Sequence, residues 1–163
     1  MSAKCSTCGA EITPLELAWT AGLFEGEGSI RINKPTKRNL GHLVVSVVNT
    51  DRDIIDFFQE RWPGYMKPAT GLRPNQRPAW VWVLAARRAM VFLLAIEPYI
   101  VRKAVREKIT HGVAFQLAKT SKRPDNRSYE YAEQQWCAYW WMAELNKRGR
   151  GKTPQADQHR RKP

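Results

Sequence analysis

Between residues 13 and 33 the spacing of apolar positions changes from helical to alternating. Thr13-Pro14-Leu15-Glu16 joins a threonine N-cap, a proline at the first helical position and a glutamate placed to close a capping box, so a helix begins here. It is expected to run from about Pro14 to Phe24 or Glu25 and to stop at Gly26. From Ser29 onward Ile30 and Ile32 fall on one face and Ser29, Arg31 and Asn33 on the other, the pattern of a half-buried strand with a polar outer face. Leu43-Val44-Val45-Ser46-Val47-Val48 is β-branched and apolar, a second strand that would pair antiparallel with the first.

Asn49-Thr50-Asp51 supplies caps, and Ile54, Ile55, Phe57 and Phe58 form the stripe of a short second helix ending near Trp62-Pro63-Gly64. Tyr65 to Ala69 and Ala79 to Leu84 read as another strand pair around a loop at 71–78 rich in Arg and Pro. Three helices follow: Ala86 to Ile96, halted at Pro98; Arg102 to Leu117; and Tyr129 to Asn146. The last bears Trp136, Trp140 and Trp141, whose helical spacing beside Ala138 and Met142 assigns them to the core. A polar linker spans Thr120 to Arg127. The expected division is an N-terminal arm at 1–12, one folded domain at 13–146, and a basic tail at 147–163 with the composition of a disordered segment.

With 163 residues the chain has the length of one domain. Lys and Arg number 27 against 15 Asp and Glu, a formal charge of +12, which points to a polyanionic partner, nucleic acid first. Part of the excess sits in the tail, where seven basic residues face only Asp157, yet the body before it is still net basic. No apolar run is long enough to span a bilayer and the N-terminus lacks a secretory apolar core, so no membrane partner is expected and the protein reads as soluble and intracellular. The three cysteines do not make a disulfide framework. Cys5-Ser-Thr-Cys8-Gly9 has the spacing of half a zinc site, but no second pair follows, leaving either a site shared across two chains or a plain reduced arm.

The chemistry concentrates in Trp19-Thr20-Ala21-Gly22-Leu23-Phe24-Glu25-Gly26-Glu27-Gly28-Ser29. Two acids at a helix end are commonly just solvated, and two glycines commonly just a turn. Against that reading stands placement: Ala18, Ala21 and Gly22 recur at helical spacing and shave one face so that another backbone can approach. An acidic centre inside a cationic surface repels phosphate unless a cation sits between them, and divalent metal suits that place. Phosphodiester hydrolysis needs such a cation to neutralise charge on the phosphate and activate water.

This stretch resembles the signature of the LAGLIDADG homing endonucleases: Ala21, Gly22, Leu23 and Gly28 match, and glutamates stand at both aspartate places. The order helix, two strands, helix, two strands and trailing helices is similar to the family's αββαββα core over roughly Pro14 to Asn146. The resemblance therefore implies an α+β fold with an antiparallel four-stranded saddle sheet and additional C-terminal helices. Val48-Asn49-Thr50-Asp51 resembles the end of the family's second strand, where an amide positions water, and Glu97-Pro98-Tyr99-Ile100-Val101-Arg102-Lys103 resembles the segment whose lysine reaches the active site. By the same resemblance Glu27 binds catalytic metal, assisted by the carbonyl of Gly26, while Glu25 is structural or supports the site; Asn49 and Lys103 complete the catalytic set. Glutamate in place of aspartate adds a methylene and shifts where metal sits. Some family members carry another basic residue just after the amide; here Asp53 is flanked by Arg52, and which of the two takes that role stays open.

One motif per chain implies a homodimer, with Ala18, Ala21 and Gly22 at the helix interface and one Glu27 from each subunit, acting on a near-palindromic duplex. Alternate residues of the sheet would then face the major groove of double-stranded DNA. Ser29, Arg31, Asn33, His42, Ser46 and Lys67 are the candidate contacts, joined by Arg73, Asn75, Gln76 and Arg77; Trp80 and Trp82 share a face and lie either on this side or on the helices. The resemblance implies cleavage of both strands with Mg²⁺, Mn²⁺ as a substitute, and Ca²⁺ binding without cleavage. The competing class is a non-cleaving binder of the same fold, a DNA-binding regulator or a splicing helper with intron RNA as its partner. A ribosome-associated basic protein would explain the charge but leave the glycine–glutamate run idle.

Overall fold

Thr13 and Glu16 start the first helix as their spacing requires. The Glu16 carboxylate accepts the Thr13 N–H at 2.8 Å, and the Thr13 hydroxyl accepts the Glu16 N–H at 3.2 Å. This helix, α1 (Pro14–Glu27), turns Leu17, Thr20, Ala21 and Phe24 inward. The structure is a computed structural model that describes residues 3–4, 11–36, 41–70, 75, 77–120 and 129–147.

The expected stop at Gly26 is corrected: α1 continues through Glu27. A glycine inside a helix costs about 1 kcal/mol relative to alanine but does not break it. What ends α1 is Gly28, whose N–H bonds to the Phe24 carbonyl while its Cα already pairs with Val47 of the neighbouring strand. A Cβ at Gly28 would lie 2.4 Å from both the Phe24 ring and the Phe24 carbonyl, so only glycine lets the chain turn this tightly.

Two hairpin-like pairs make the main sheet. With β1 (Ala3–Lys4) and β2 (Glu11–Ile12) forming a separate short pair, β3 (Gly28–Ile32) pairs antiparallel with β4 (Leu43–Asn49), and β5 (Tyr65–Pro68) pairs antiparallel with β6 (Trp80–Ala85). β4 and β6 join at the centre, giving the order β3-β4-β6-β5. Ile12, which the sequence pattern assigns to the N-terminal arm, is fully buried within the core cluster.

The helices α2 (Arg52–Arg61), α3 (Ala86–Ile96), α4 (Lys103–Thr120) and α5 (Tyr129–Leu145) complete the α+β architecture, with a short 3-10 turn at Glu97–Tyr99. Ile30, Ile32, Val45, Val47, Trp82 and Leu84 face the helices and meet Phe24, Phe58 and Phe92 in one core. The opposite face is thereby turned away from them. α4 comes so close to the sheet that a Cβ on Gly112 would lie 2.7 Å from Leu43.

The tryptophans of α5 do not sit where their spacing suggests. Trp140 and Trp141 are 46% and 39% exposed, and Trp136 is half-buried, stacked on Trp140. Gln135 and Met142, with Ala138 and Tyr139 between them, form the line that packs inward, and the tryptophans flank it. Among the described residues no helix is long and apolar enough to cross a membrane.

Candidate functional site

Because α1 continues through Glu27, Glu25 and Glu27 lie two positions apart on a helix, about 200° around its axis. Their carboxylates therefore leave on opposite sides. Glu25 turns to the segment entering α4: its Oε1 accepts the backbone N–H of Val101 at 3.1 Å and of Arg102 at 2.6 Å, and the Arg102 guanidinium donates to the Glu25 carbonyl at 3.2 Å. Glu27 is exposed, and its carboxylate makes no hydrogen bond or ion pair among the described residues. It stands at the C-terminal, electronegative end of α1, where an unpartnered carboxylate is disfavoured and a cation is attracted.

Three other groups lie towards this end of the molecule. The strand register pairs Gly28 with Val47, which sets Asn49 at the end of β4 level with the last turn of α1. Asn49 is half-buried, and its carbonyl oxygen accepts the Asp51 N–H at 2.8 Å, leaving the NH₂ group as the part that can meet water. Lys103 is exposed and is the first residue of α4, immediately after the two amides held by Glu25. α2 runs antiparallel to α1, since Arg61 bonds to Glu16 at 2.9 Å and Phe57 packs edge-on against Trp19 at 4.7 Å, so the start of α2 lies at the Glu27 end.

At that start, Arg52 lies over the Trp80 ring, 4.1 Å from its centroid, and pairs with Asp56 at 2.8 Å. The sequence leaves the roles of Arg52 and Asp53 open and gives no sign of this stack, because Trp80 is distant along the chain. Asp53 is exposed, and its backbone N–H caps onto the Asp51 side chain.

Glu27 and the carbonyl of Gly26 are oxygen donors, the type that hard divalent cations prefer. Among the described residues no three His, Cys, Asp or Glu side chains come together in a way that could hold a metal. The described residues of one chain thus bring oxygen-donor chemistry but too few carboxylates for a complete metal site. Cys5 and Cys8 lie outside the described residues.

The outer face of α1 is unusual. Ala18, Gly22 and Gly26 are exposed, and a Cβ on either glycine would meet nothing within 4 Å. Leu15 and Trp19, 80% and 44% exposed, belong to the same stripe, and their helical spacing to Gly22 is the signal that could have included them. Ala21 is a correction: it is fully buried on the opposite side with Leu17 and Phe24, so it packs within the chain and is not available to a neighbouring helix.

The sheet face turned away from the helices carries Ser29 and Arg31 on β3 and Tyr65 and Lys67 on β5, all exposed. Asn33 and His42 continue this face beyond the strand ends and are hydrogen-bonded to each other at 3.1 Å. Its centre is apolar, with Val44, Val48, Val81 and Val83. Ser46 lies there too but is only 6% exposed, and its hydroxyl is largely withdrawn from any partner. Trp82 is fully buried on the helix side, donating to the Trp62 carbonyl at 2.9 Å, and Trp80 shares that side under Arg52. Both are removed from the set of outward contacts, because register with Val47 and Asn49 fixes their face. Asn75 and Arg77 are exposed, whereas Arg73 and Gln76 lie outside the described residues.

No family model matches this sequence, and no curated protein matches it. Solved structures do. The archaeal intron-encoded homing endonuclease I-Vdi141I, complexed with DNA, superposes with a TM-score of 0.66 at 14% identity, covering 86% of this chain and 89% of that one. The homing endonuclease I-CvuI in complex with its target in the presence of Ca gives 0.64 at 15% identity, over 86% of this chain and 87% of that one. The LAGLIDADG homing endonuclease I-SmaMI bound to cleaved DNA gives 0.62 at 13% identity; 86% of this chain covers only 49% of that chain. From the signature helix, the four-stranded antiparallel sheet and these superpositions together, the chain has the fold of the LAGLIDADG homing endonucleases.

Proposed function

We propose that this protein is a site-specific DNA endonuclease that acts as a homodimer and hydrolyses both strands of a near-palindromic duplex with a divalent metal, Mg²⁺ by preference. The observation that carries the reading is an exposed Glu27, with no side-chain partner among the described residues, at the end of a helix whose outer face is shaved at Gly22 and Gly26. Helix-interior glycines at positions 22 and 26 each weaken α1 by about 1 kcal/mol and give nothing in return within one chain. A second α1 packed on that face would use the space they leave and bring a second Glu27 alongside the first. I-SmaMI, a longer chain, is matched over about half its length, which suits two copies of this chain.

In this assembly the two Glu27 carboxylates and the Gly26 carbonyls would hold divalent cations, which would supply positive charge at the scissile phosphate and lower the pKa of water. Asn49 orients water through its NH₂ group. Lys103 stabilises charge that develops on the phosphate. Ser29, Arg31, Asn33, His42, Lys67, Asn75 and Arg77 approach the major groove, and the +12 charge supplies sequence-blind attraction to the backbone.

The test is selection from long random duplexes, with capture in Ca²⁺ and recovery of new ends after exchange into Mg²⁺, run beside Glu27→Gln. Ends at a two-fold related site that are absent from the variant support the reading. Specific binding without ends moves the protein to the non-cleaving class, and preference for structured intron RNA over duplex moves it to a splicing role.

A further inference from the structure

We infer that Glu25 is a positioning residue that fixes the start of α4 and with it Lys103, an inference that rests on the endonuclease reading. One carboxylate oxygen receives two consecutive backbone amides, Val101 at 3.1 Å and Arg102 at 2.6 Å, and the Arg102 guanidinium closes the contact on the Glu25 carbonyl at 3.2 Å. The same Arg102 begins α4: its carbonyl accepts the N–H groups of Val105 at 3.0 Å and Arg106 at 3.1 Å. The Arg106 guanidinium returns to the Ile100 carbonyl at 2.7 Å, so residues 100–102 are held from both sides.

The electrostatics favour the same arrangement. The negative end of α1 meets the positive end of α4, with the Glu25 carboxylate between them accepting the otherwise unpaired amides at the α4 start. Lys103 is the next residue, and the approach of its ammonium to the reacting phosphate depends on where this short segment sits. Glu27, two positions along α1, shares the same rigid turn of helix. The two acids thus divide the work: Glu27 faces outward, and Glu25 locks the strand of chain that carries the lysine.

Side-chain chemistry separates this from a merely structural contact. Glu25→Gln keeps an acceptor oxygen where both amides point; Glu25→Ala removes it. With metal and target in place, a misplacement of about 1 Å costs roughly 100-fold in rate. Single-turnover cleavage by Glu25→Ala is expected to fall by about that factor with target affinity in Ca²⁺ within a few-fold, and Glu25→Gln is expected to recover most of the rate. Lys103→Ala and the Glu25→Ala/Lys103→Ala pair close a cycle: if Glu25 works through Lys103, the pair is no slower than Lys103→Ala alone.

The deciding experiment runs this cycle together with amide hydrogen exchange of the full chain. Loss of protection at Val101 and Arg102 in Glu25→Ala, retention in Glu25→Gln and a non-additive cycle are the expected result. Unchanged protection, or rate losses that multiply across the cycle, overturns the inference. If the unmodified chain cuts no duplex, the endonuclease reading falls, while the exchange arm still decides whether Glu25 holds the segment.

Discussion

Gly28 and Ala86 show how much a single backbone position can decide here. A methyl group at Gly28 would sit 2.4 Å from the Phe24 ring and carbonyl, and the carbonyl cannot move without opening the end of α1. Gly28→Ala is therefore expected to destabilise the fold by about 2–3 kcal/mol, read as a lower denaturant midpoint. Ala86 presents the reverse case. It is the only described non-glycine residue with positive φ, 52°, at the junction of β6 and α3. Left-handed backbone costs an L-residue about 1–2 kcal/mol, part of which glycine returns in unfolded-state freedom. Ala86→Gly is expected to raise stability by up to about 1 kcal/mol in the same titration. Neither effect is legible in the sequence: Gly28 matches a signature position, but the spacing does not show that it closes against Phe24, and nothing marks Ala86.

At the scale of the helix, α1 offers a sharp test of what covers it. Gly22→Ala and Gly26→Ala meet no atom within 4 Å, so in an isolated chain each is expected to stabilise the helix by about 1 kcal/mol. In a dimer packed on this face the added methyls push the helices apart, and sedimentation should show weaker association together with slower cleavage. Stabilisation with unchanged assembly would remove α1 from the interface. The other end of α1 is pH-sensitive. The Thr13 amide above all, then the Arg61 guanidinium and the Thr13 hydroxyl, hold the Glu16 carboxyl below its ordinary value of 4.5. A lowered folded-state value means the contribution is present above 4.5 and is lost as pH falls through the lowered value. Wild type should exceed Glu16→Gln in stability near neutral pH, and the two curves should converge in acid. Thr13, Pro14 and Glu16 make this start readable from local spacing. The far end is not readable in the same way, because strand pairing of Gly28 with Val47, and not Gly26, decides where the helix stops.

For the whole molecule, alternation places Ile30, Ile32, Arg31 and Asn33 on the correct faces, and the order of elements needs no tertiary information. What stays hidden is long-range pairing. Glu25 meets Val101 and Arg102 across 76 and 77 positions of chain, and the side on which Trp80 and Trp82 lie follows only from register across β4 and β6. Local spacing likewise cannot say which line of α5 meets β3 and α4, so it assigns the tryptophans of that helix to the wrong side. Charge is distributed over the full chain, and the residues from 148 onward add further basic groups. A truncation ending at Lys147 is expected to lower the slope of log affinity against log salt, by about 0.9 for each phosphate that the tail neutralises, without altering which duplex is preferred.

The outward face of the sheet is polar at its two edge strands, but Val48, Val81 and Val83 show at the centre, with Val44 and Ser46 withdrawn among them. Valines cannot distinguish bases by hydrogen bonding; against a duplex they would meet the 5-methyl group that distinguishes thymine from uracil and modified from plain cytosine. If the protein binds duplex as proposed, the bases opposite these valines should favour thymine or 5-methylcytosine over plain cytosine, read as relative affinity in Ca²⁺.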